Sequence, residues 1–326
     1  MKIAVVGAGL SGLVVAEKLQ SVGTVEVFDK SRGAGGRMST RYAGDYEFDH
    51  GAQYFTARSD AFRAFLQPLI DDGTVREWPA TIAEYEAGSL VSATSEHATP
   101  LWVGAPRMNS IGKALARRVS VSLDTPIASA TRDSAGWSLR SAGDETFGPY
   151  ELLIYATPAP QTLALASASP ELMAYCDSRT MVGCFALMLG LSVALKVPWQ
   201  AARVSGSPVS WLAINSSKPG RRESSAALVV HSANDWADEH IEDDPQAVEA
   251  RLLEEASAII GTDLGTAPHR QLHRWRYANA LKREGNPYFL DLNAGLAACG
   301  DWCIRGRVEE AFTSASLLAD ELERQL

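Results

Sequence analysis

The chain has 326 residues, 46% of them hydrophobic and 21% charged, with a formal net charge of -9. That length and composition suit a globular protein of about two domains. The acidic balance excludes a general binder of nucleic acid or anionic membrane, because there is no basic excess to displace counterions from phosphates.

Ile3 to Val6 is an apolar run with the character of a buried parallel strand. It enters Gly7-x-Gly9-x-x-Gly12, which opens a helix with Gly12, Val15, Ala16 and Leu19 on one face. The three glycines have separate tasks: a tight turn, close approach of a pyrophosphate to the backbone, and close packing of helix on strand. The helix start adds unpaired N–H groups and a positive dipole end. A second strand, Val25 to Phe28, ends at Asp29, where a carboxylate can bind a ribose hydroxyl pair. Strand, glycines, helix, second strand and acid in register predict a dinucleotide site. With Glu17-Lys18 interrupting the apolar run, the same glycines lead us to expect a nucleotide turn here rather than a signal peptide. Ser31 to Met38 forms a second glycine-rich loop, with Gly35, Gly36 and Arg37, that can close over the same pyrophosphate.

Beyond Asp60 the parallel-strand character disappears. Ala61 to Ile70 suggests a short helix, Asp72-Gly73 a turn, and Glu77 to Val91 short strands joined at Gly88-Ser89. Val91 to Pro100 is polar and reads as a solvated loop rather than a flap over the substrate. Asn109-Ser110 caps a helix through Ile111 and Leu115. Strands follow at Val119 to Leu123, at Ile127, at Trp137 to Leu139 and at Glu151 to Ala156. Asp244-Pro245 starts a helix that buries Val248, Leu252, Ala256 and Ile259. Around it lie strand candidates Cys184 to Leu191, Val209 to Ile214, Ala226 to His231 and Gln271 to Tyr277. In the last of these, alternation puts His273, Trp275 and Tyr277 on one face and Arg274 and Arg276 on the other. Ala298 to Val308 combines a strand end, a Gly300-Asp301 turn and the start of a closing helix over Val308 to Leu326, so the chain returns to the nucleotide.

The four cysteines, Cys176, Cys184, Cys299 and Cys303, lack paired metal-ligand spacing and read as reduced thiols, the last two as buried packing groups. No metal is expected. The longest apolar run, Met181 to Leu195, is interrupted by Gly183, Gly190 and Ser192, and the expectation is a soluble, cytoplasmic protein.

The Gly7-x-Gly9-x-x-Gly12 turn, the Gly35 to Met38 loop, Asp49-His-Gly51-Ala52-Gln53 and the late Gly-Asp turn resemble the FAD-containing amine oxidase superfamily. Within it, Gly51 to Arg58, Trp211 to Ala213, Ser217-Lys-Pro219, His273 to Ala278 and Cys299 to Cys303 resemble the bacterial renalases over essentially the whole chain. The resemblance implies an α/β, amine oxidase-like two-domain flavoprotein: a discontinuous Rossmann-type FAD-binding domain at 1–59, 103–159 and 281–326, and an inserted α+β substrate domain at 60–102 and 160–280 on an antiparallel sheet. It implies FAD contacts at Gly7, Gly9, Ser11, Gly12, Asp29, Lys30, Gly36, Arg37 and Met38. Further contacts are implied at Ala52 and Gln53, Ile127 and Thr157, Gly300 and Asp301, and Arg307 and Val308, where a helix start would favour the anionic reduced flavin. His273 and Tyr277 take catalytic roles, and Tyr54, Phe55, Thr56, Arg58, Trp275 and His231 touch the substrate, Arg58 at a phosphate. Renalases oxidise the 2- and 6-dihydro isomers of NAD(P)H to NAD(P)+, passing a hydride to flavin N5 and electrons to O2 to give H2O2. The substrate is then a small dinucleotide. Rearomatisation of the pyridine drives hydride loss, so no general base is required. Two alternatives stand beside this one: an FAD amine oxidase or desaturase acting on another small substrate, and a non-enzymatic nucleotide-binding regulator. Ile304-Arg305-Gly306 lacks the Tyr that amine oxidases tend to place there. Glu310 departs from the family pattern, which tends to have Gly at that point.

Overall fold

A computed structural model describes residues 1–222 and 226–326 and divides the chain into two compact units. The first comprises Met1–Met38, Ile111–Met181 and Asn279–Leu326; the second comprises Ser39–Ser110 and Val182–Ala278.

The first unit is built on a six-stranded sheet in the order Phe289–Asp291, Leu296–Ala298, Leu152–Tyr155, Lys2–Val6, Thr24–Phe28 and Ser120–Ser122. All pairings are parallel except the first, as the apolar runs require of a sheet covered on both faces. Helix Leu10–Leu19 buries eight of its ten residues, and it packs on the closing helix Val308–Gln325. A three-stranded sheet over Ile127–Tyr150 joins a core that includes Phe28, Trp137, Tyr155, Cys176, Trp302 and Cys303.

The second unit carries a seven-stranded sheet in the order His269–Ala280, Met181–Leu191, Ala226–Ser232, Val209–Ile214, Ala201–Ser205, Ile82–Glu86 and Ser89–Thr94. On one face lies helix Pro245–Ile260, capped by Asp244, with Val248, Leu252, Ala256 and Ile259 buried as the sequence predicts. On the other, the hairpin Thr40–Ala43/Tyr46–Asp49 places Phe48 against Met188, Ala227 and Val229. The sheet is not wholly antiparallel, because Ile82–Glu86 runs parallel to Ala201–Ser205. The polar stretch after Val91 is not loop from its start: Ser89–Thr94 is an edge strand, paired to Ile82–Glu86 and fully exposed.

The first crossover between units falls at residue 38, not 59. Residues 39–59 leave the nucleotide unit because the Thr40–Asp49 hairpin is tied into the second unit by Asp49, which no periodicity reveals. All four cysteines are buried free thiols. Burial raises Cys176 and Cys303 to about 12 and Cys184 to about 11. No helix among the described residues is long and apolar enough to cross a membrane.

Candidate functional site

In the first unit, four neighbouring parallel strands end side by side, and their carboxyl ends lead into the predicted cofactor residues. Ala298 leads to Gly300 and Asp301, Tyr155 to Thr157, Val6 to Gly7 and Gly9, and Phe28 to Asp29. Ligands of open α/β sheets bind at this edge, where connections diverge to either side of the first strand.

The turn there is shaped for a pyrophosphate. At Gly7, with φ +114°, a Cβ would stand 2.9 Å from Ala156 carbonyl atoms, and at Gly12 a Cβ would run into the Gly7 carbonyl oxygen. Gly9 differs: its φ of -73° suits any residue, and a Cβ there meets nothing within 4 Å. It caps helix Leu10–Leu19, whose first turn carries no acid and whose N–H groups have no side-chain cap. This is an open, anion-seeking helix start. The second glycine loop closes on it through Gly35 N donating to the Ala8 carbonyl at 2.8 Å. A Cβ on Gly36 would come within 3.3 Å of Gly9 Cα.

Asp29 is oriented by accepting from Ala8 N at 2.6 Å and from Ser31 N at 2.7 Å. An ionised carboxylate has about four acceptor positions, so capacity remains for ribose hydroxyls. These residues fit FAD. Arg37 and Asp301 form a bidentate pair, Nη1 to Oδ2 at 2.9 Å and Nη2 to Oδ1 at 2.5 Å, which fastens the glycine loop to the Gly-Asp turn.

Other predicted contacts are placed differently. The Ser11 hydroxyl donates to the Ala311 carbonyl at 2.9 Å, tying the first helix to the last. Met38 is a buried core side chain, Lys30 is exposed, and Ile127 is half-buried at the start of its strand. Thr157 Oγ1 pairs with Thr162 Oγ1 at 2.8 Å while its carbonyl accepts from Trp302 Nε1 at 2.9 Å. The closing helix begins at Val308 with Arg307 as its cap residue. Glu309 and Glu310 already face its positive end. Glu310 pairs with Arg305 at 3.4 Å, which settles where the departing glutamate points.

In the second unit, the strand His269–Ala280 does present alternating faces. Arg274 donates to the Ile241 carbonyl and Arg276 pairs with Glu242 on one side. On the other, the His273 ring stands 4.4 Å from Trp275 and 4.9 Å from His50, and His50 stacks on Trp275 at 5.2 Å. Tyr277 is half-buried on the same alternation. The His50 carbonyl accepts from Trp275 Nε1 at 2.9 Å and from His231 Nε2 at 3.2 Å. Gln53 spends both amide hydrogens on the Asp49 and Gly51 carbonyls, so its 3.4 Å approach to His231 Nε2 is a contact and not a bond. His231 is therefore the tautomer protonated at Nε2. The Gln53 side chain is a brace within its own turn. Ala52 beside it is half-buried.

Of the Gly51 to Arg58 stretch, Phe55 is corrected to a core residue: it is 4% exposed, bridges Trp102 through its backbone and packs on Phe62. Tyr54 accepts from Arg203 Nη2 at 2.9 Å and lies between Trp78 and Trp211. Thr56 is half-buried and Arg58 exposed.

The sequence reading missed two features. One is a fully buried ionic cluster, in which Asp49 takes Arg221 and Lys218, the latter at 3.3 Å, together with Thr40 Oγ1 at 2.7 Å and Met108 N at 3.1 Å. Asp49 and Lys218 both lie in motifs, but only the folded chain shows that they meet. The other is Arg41, whose Nε is buried without a partner. Among the described residues it forms no ion pair.

The imidazoles are held neutral. Burial, then His273 and Arg41, depress His50 to about 3; burial, then Lys218, depresses His231 to about 4; burial and Arg41 depress His273 to about 4. Since the folded values lie below the unfolded one of about 6.5, the unfolded chain binds more protons in acid. Stability is then full above about pH 6.5 and declines as pH falls toward 4, by up to about 1.4 kcal/mol per pH unit for each imidazole. Thermal unfolding at stepped pH checks this, and replacing His50 by Leu is expected to make the decline shallower.

Residues 5–69 match an NAD(P)-binding Rossmann-like domain, and residues 73–322 match the flavin containing amine oxidoreductase family. Among solved structures, a putative protoporphyrinogen oxidase from Exiguobacterium sp. 255-15 superposes with a TM-score of 0.79 at 11% identity, covering 100% of this chain and 99% of its own. A reduced UDP-galactopyranose mutase gives 0.78 at 11%, covering 100% and 94%. Cyclohexylamine oxidase from Brevibacterium oxydans IH-35A gives 0.74 at 13%, covering 99% of both. At such identities these likenesses establish the fold. The family match over most of the chain, joined to the dinucleotide turn, makes this protein a member of the flavin-containing amine oxidoreductases, with FAD as its cofactor.

Proposed function

We propose that the protein is a renalase-like oxidase that returns the 2- and 6-dihydro isomers of NAD(P)H to NAD(P)+. Bound FAD supplies the hydride acceptor and returns the electrons to dioxygen as hydrogen peroxide. The chain's own contribution is to hold the ring against aromatic side chains and to anchor the phosphate.

The observation that carries this reading is the charge immediately around the three imidazoles of the second unit. His50, His231 and His273 are neutral, Arg41 has no carboxylate, and Asp49 faces two cations. An ammonium substrate would meet net positive charge with no acid to receive it. A phosphate-bearing heteroaromatic ring would meet an aromatic wall of Trp275, His273 and Tyr277 and an unpaired guanidinium. This favours a pyridine nucleotide over an amine. It also moves the anion contact from Arg58 to Arg41, since a guanidinium pairs bidentately with phosphate.

The test is product formation in air. NADH partly isomerised to its 2- and 6-dihydro forms should yield NAD+ and hydrogen peroxide in equal amounts, whereas putrescine and cyclohexylamine should yield no peroxide. Peroxide from the amines alone would replace this function with amine oxidation. Arg41→Gln should raise KM for the isomers by about tenfold with kcat little changed, the pattern of an interaction made equally before and during reaction. An unchanged KM would remove Arg41 from substrate binding.

A further inference from the structure

The buried lysine of the second unit is placed with unusual economy. Lys218 Nζ has three hydrogens and meets three acceptors: Asn215 Oδ1 at 3.0 Å, Asp49 Oδ2 at 3.3 Å and Gln53 Oε1 at 3.3 Å. Its side chain and that of Asp49 are fully buried. Asn215 in turn accepts from Asp49 N at 3.3 Å and donates to the Glu47 carbonyl at 2.8 Å. Gln53 donates to the carbonyls of Asp49 and Gly51. The ammonium therefore grips both ends of the five-residue turn from Asp49 to Gln53. Within that turn is the His50 carbonyl, which receives Trp275 and His231.

We propose that Lys218 is a positioning residue: by pinning both ends of the Asp49–Gln53 turn it fixes the His50 carbonyl, and through it the Trp275 indole that holds the substrate ring and the His231 imidazole that shares the same carbonyl. The assignment of substrate to the indole rests on the function proposed above; the mechanical link from Lys218 to both rings does not.

A purely structural lysine would behave differently on removal. Asp49 faces both Lys218 and Arg221, so Lys218→Met leaves one carboxylate with one guanidinium, a balanced buried pair. Removing an excess buried charge is compatible with retained or increased stability. The charge also has a titration of its own. Burial, opposed by Asp49 and assisted by Arg221, lowers Lys218 to about 8. The groups facing it are Asp49, Arg221 and the neutral polar side chains Gln53 and Asn215, with the Trp78 ring 5.5 Å away and His231 within its field. Asp49, held at about 2, keeps its charge through mild alkali. Lysine is then the group in this cluster that titrates there.

The experiment uses the FAD-loaded protein. In 15N-labelled wild type, the ring resonances of His231 and Trp275 should move together as pH is raised from about 7 to 9.5, with one midpoint near 8, and this movement should vanish in Lys218→Met. In the same variant the melting temperature should be equal to or above that of wild type, while kcat/KM for the dihydro isomers falls by about tenfold or more, the scale of a misplaced binding group. Lys218→Arg, which keeps the charge, should recover part of the loss. Resonances that stay fixed across that pH range in wild type would overturn the proposal, whatever the substrate proves to be. So would Lys218→Met with kcat/KM within twofold of wild type. If wild type is inactive on the isomers but the linked titration is present, the function fails and the positioning link stands.

Discussion

Gly9→Val should give a folded protein that purifies without yellow colour. The φ of -73° at Gly9 is open to any residue and a Cβ there meets nothing within 4 Å, so valine costs only about 1 kcal/mol as a poorer helix cap. The same side chain stands where a pyrophosphate must touch the backbone. Losing two hydrogen bonds to a charged group, at about 1.5–3 kcal/mol each, weakens FAD by on the order of 100-fold or more. Gly12→Val is the contrasting case, because its Cβ collides with the Gly7 carbonyl and the first helix cannot seat. Titrating apoprotein with FAD while following flavin fluorescence checks the first, and circular dichroism separates it from the second. A yellow, fully loaded Gly9→Val would show that the pyrophosphate lies elsewhere.

Asp49→Leu should be the most destabilising single substitution in the second unit. It leaves Lys218 and Arg221 buried with no counter-charge and strips acceptors from Thr40 Oγ1 and Met108 N. The expected loss is about 3–5 kcal/mol, the cost of breaking a buried ion pair from one side. Adding Lys218→Met should return part of it, since one of the two stranded cations is removed. The pH dependence follows the same charge. Burial alone would raise the Asp49 carboxyl, but Lys218 and Arg221 outweigh it and hold it at about 2. Its folded value lies below the unfolded one, so its contribution is present above about pH 4 and is lost as pH falls toward 2. Urea unfolding of the single and double variants decides the point, and equal midpoints for wild type and Asp49→Leu would contradict it.

What the sequence discloses and what it conceals divide along the range of the interactions. The nucleotide turn is legible because its requirements are local: a strand of apolar residues, a Cβ that cannot fit at Gly7 or Gly12, and an acid at the next strand end. The helix at Pro245–Ile260 is legible through its period, and His273 with Trp275 through alternation. The Asp49–Lys218 contact spans 169 residues and has no period. For the same reason the departure of residues 39–59 from the nucleotide unit and the bracing role of the Gln53 amide have no signature in the sequence. Phe55 is misread because its motif gives its neighbourhood, not its direction. Arg41 escapes notice since an arginine on a short strand looks like surface until its Nε is found buried and unpaired.

The central claim, hydride transfer from misreduced pyridine nucleotides, is tested most directly by mixing the FAD-loaded protein anaerobically with partly isomerised NADH and following the flavin absorbance. Rapid bleaching by that mixture is expected, with little response to pure NADH, putrescine or cyclohexylamine. Bleaching no greater than the pure NADH control, or bleaching by an amine instead, would contradict it.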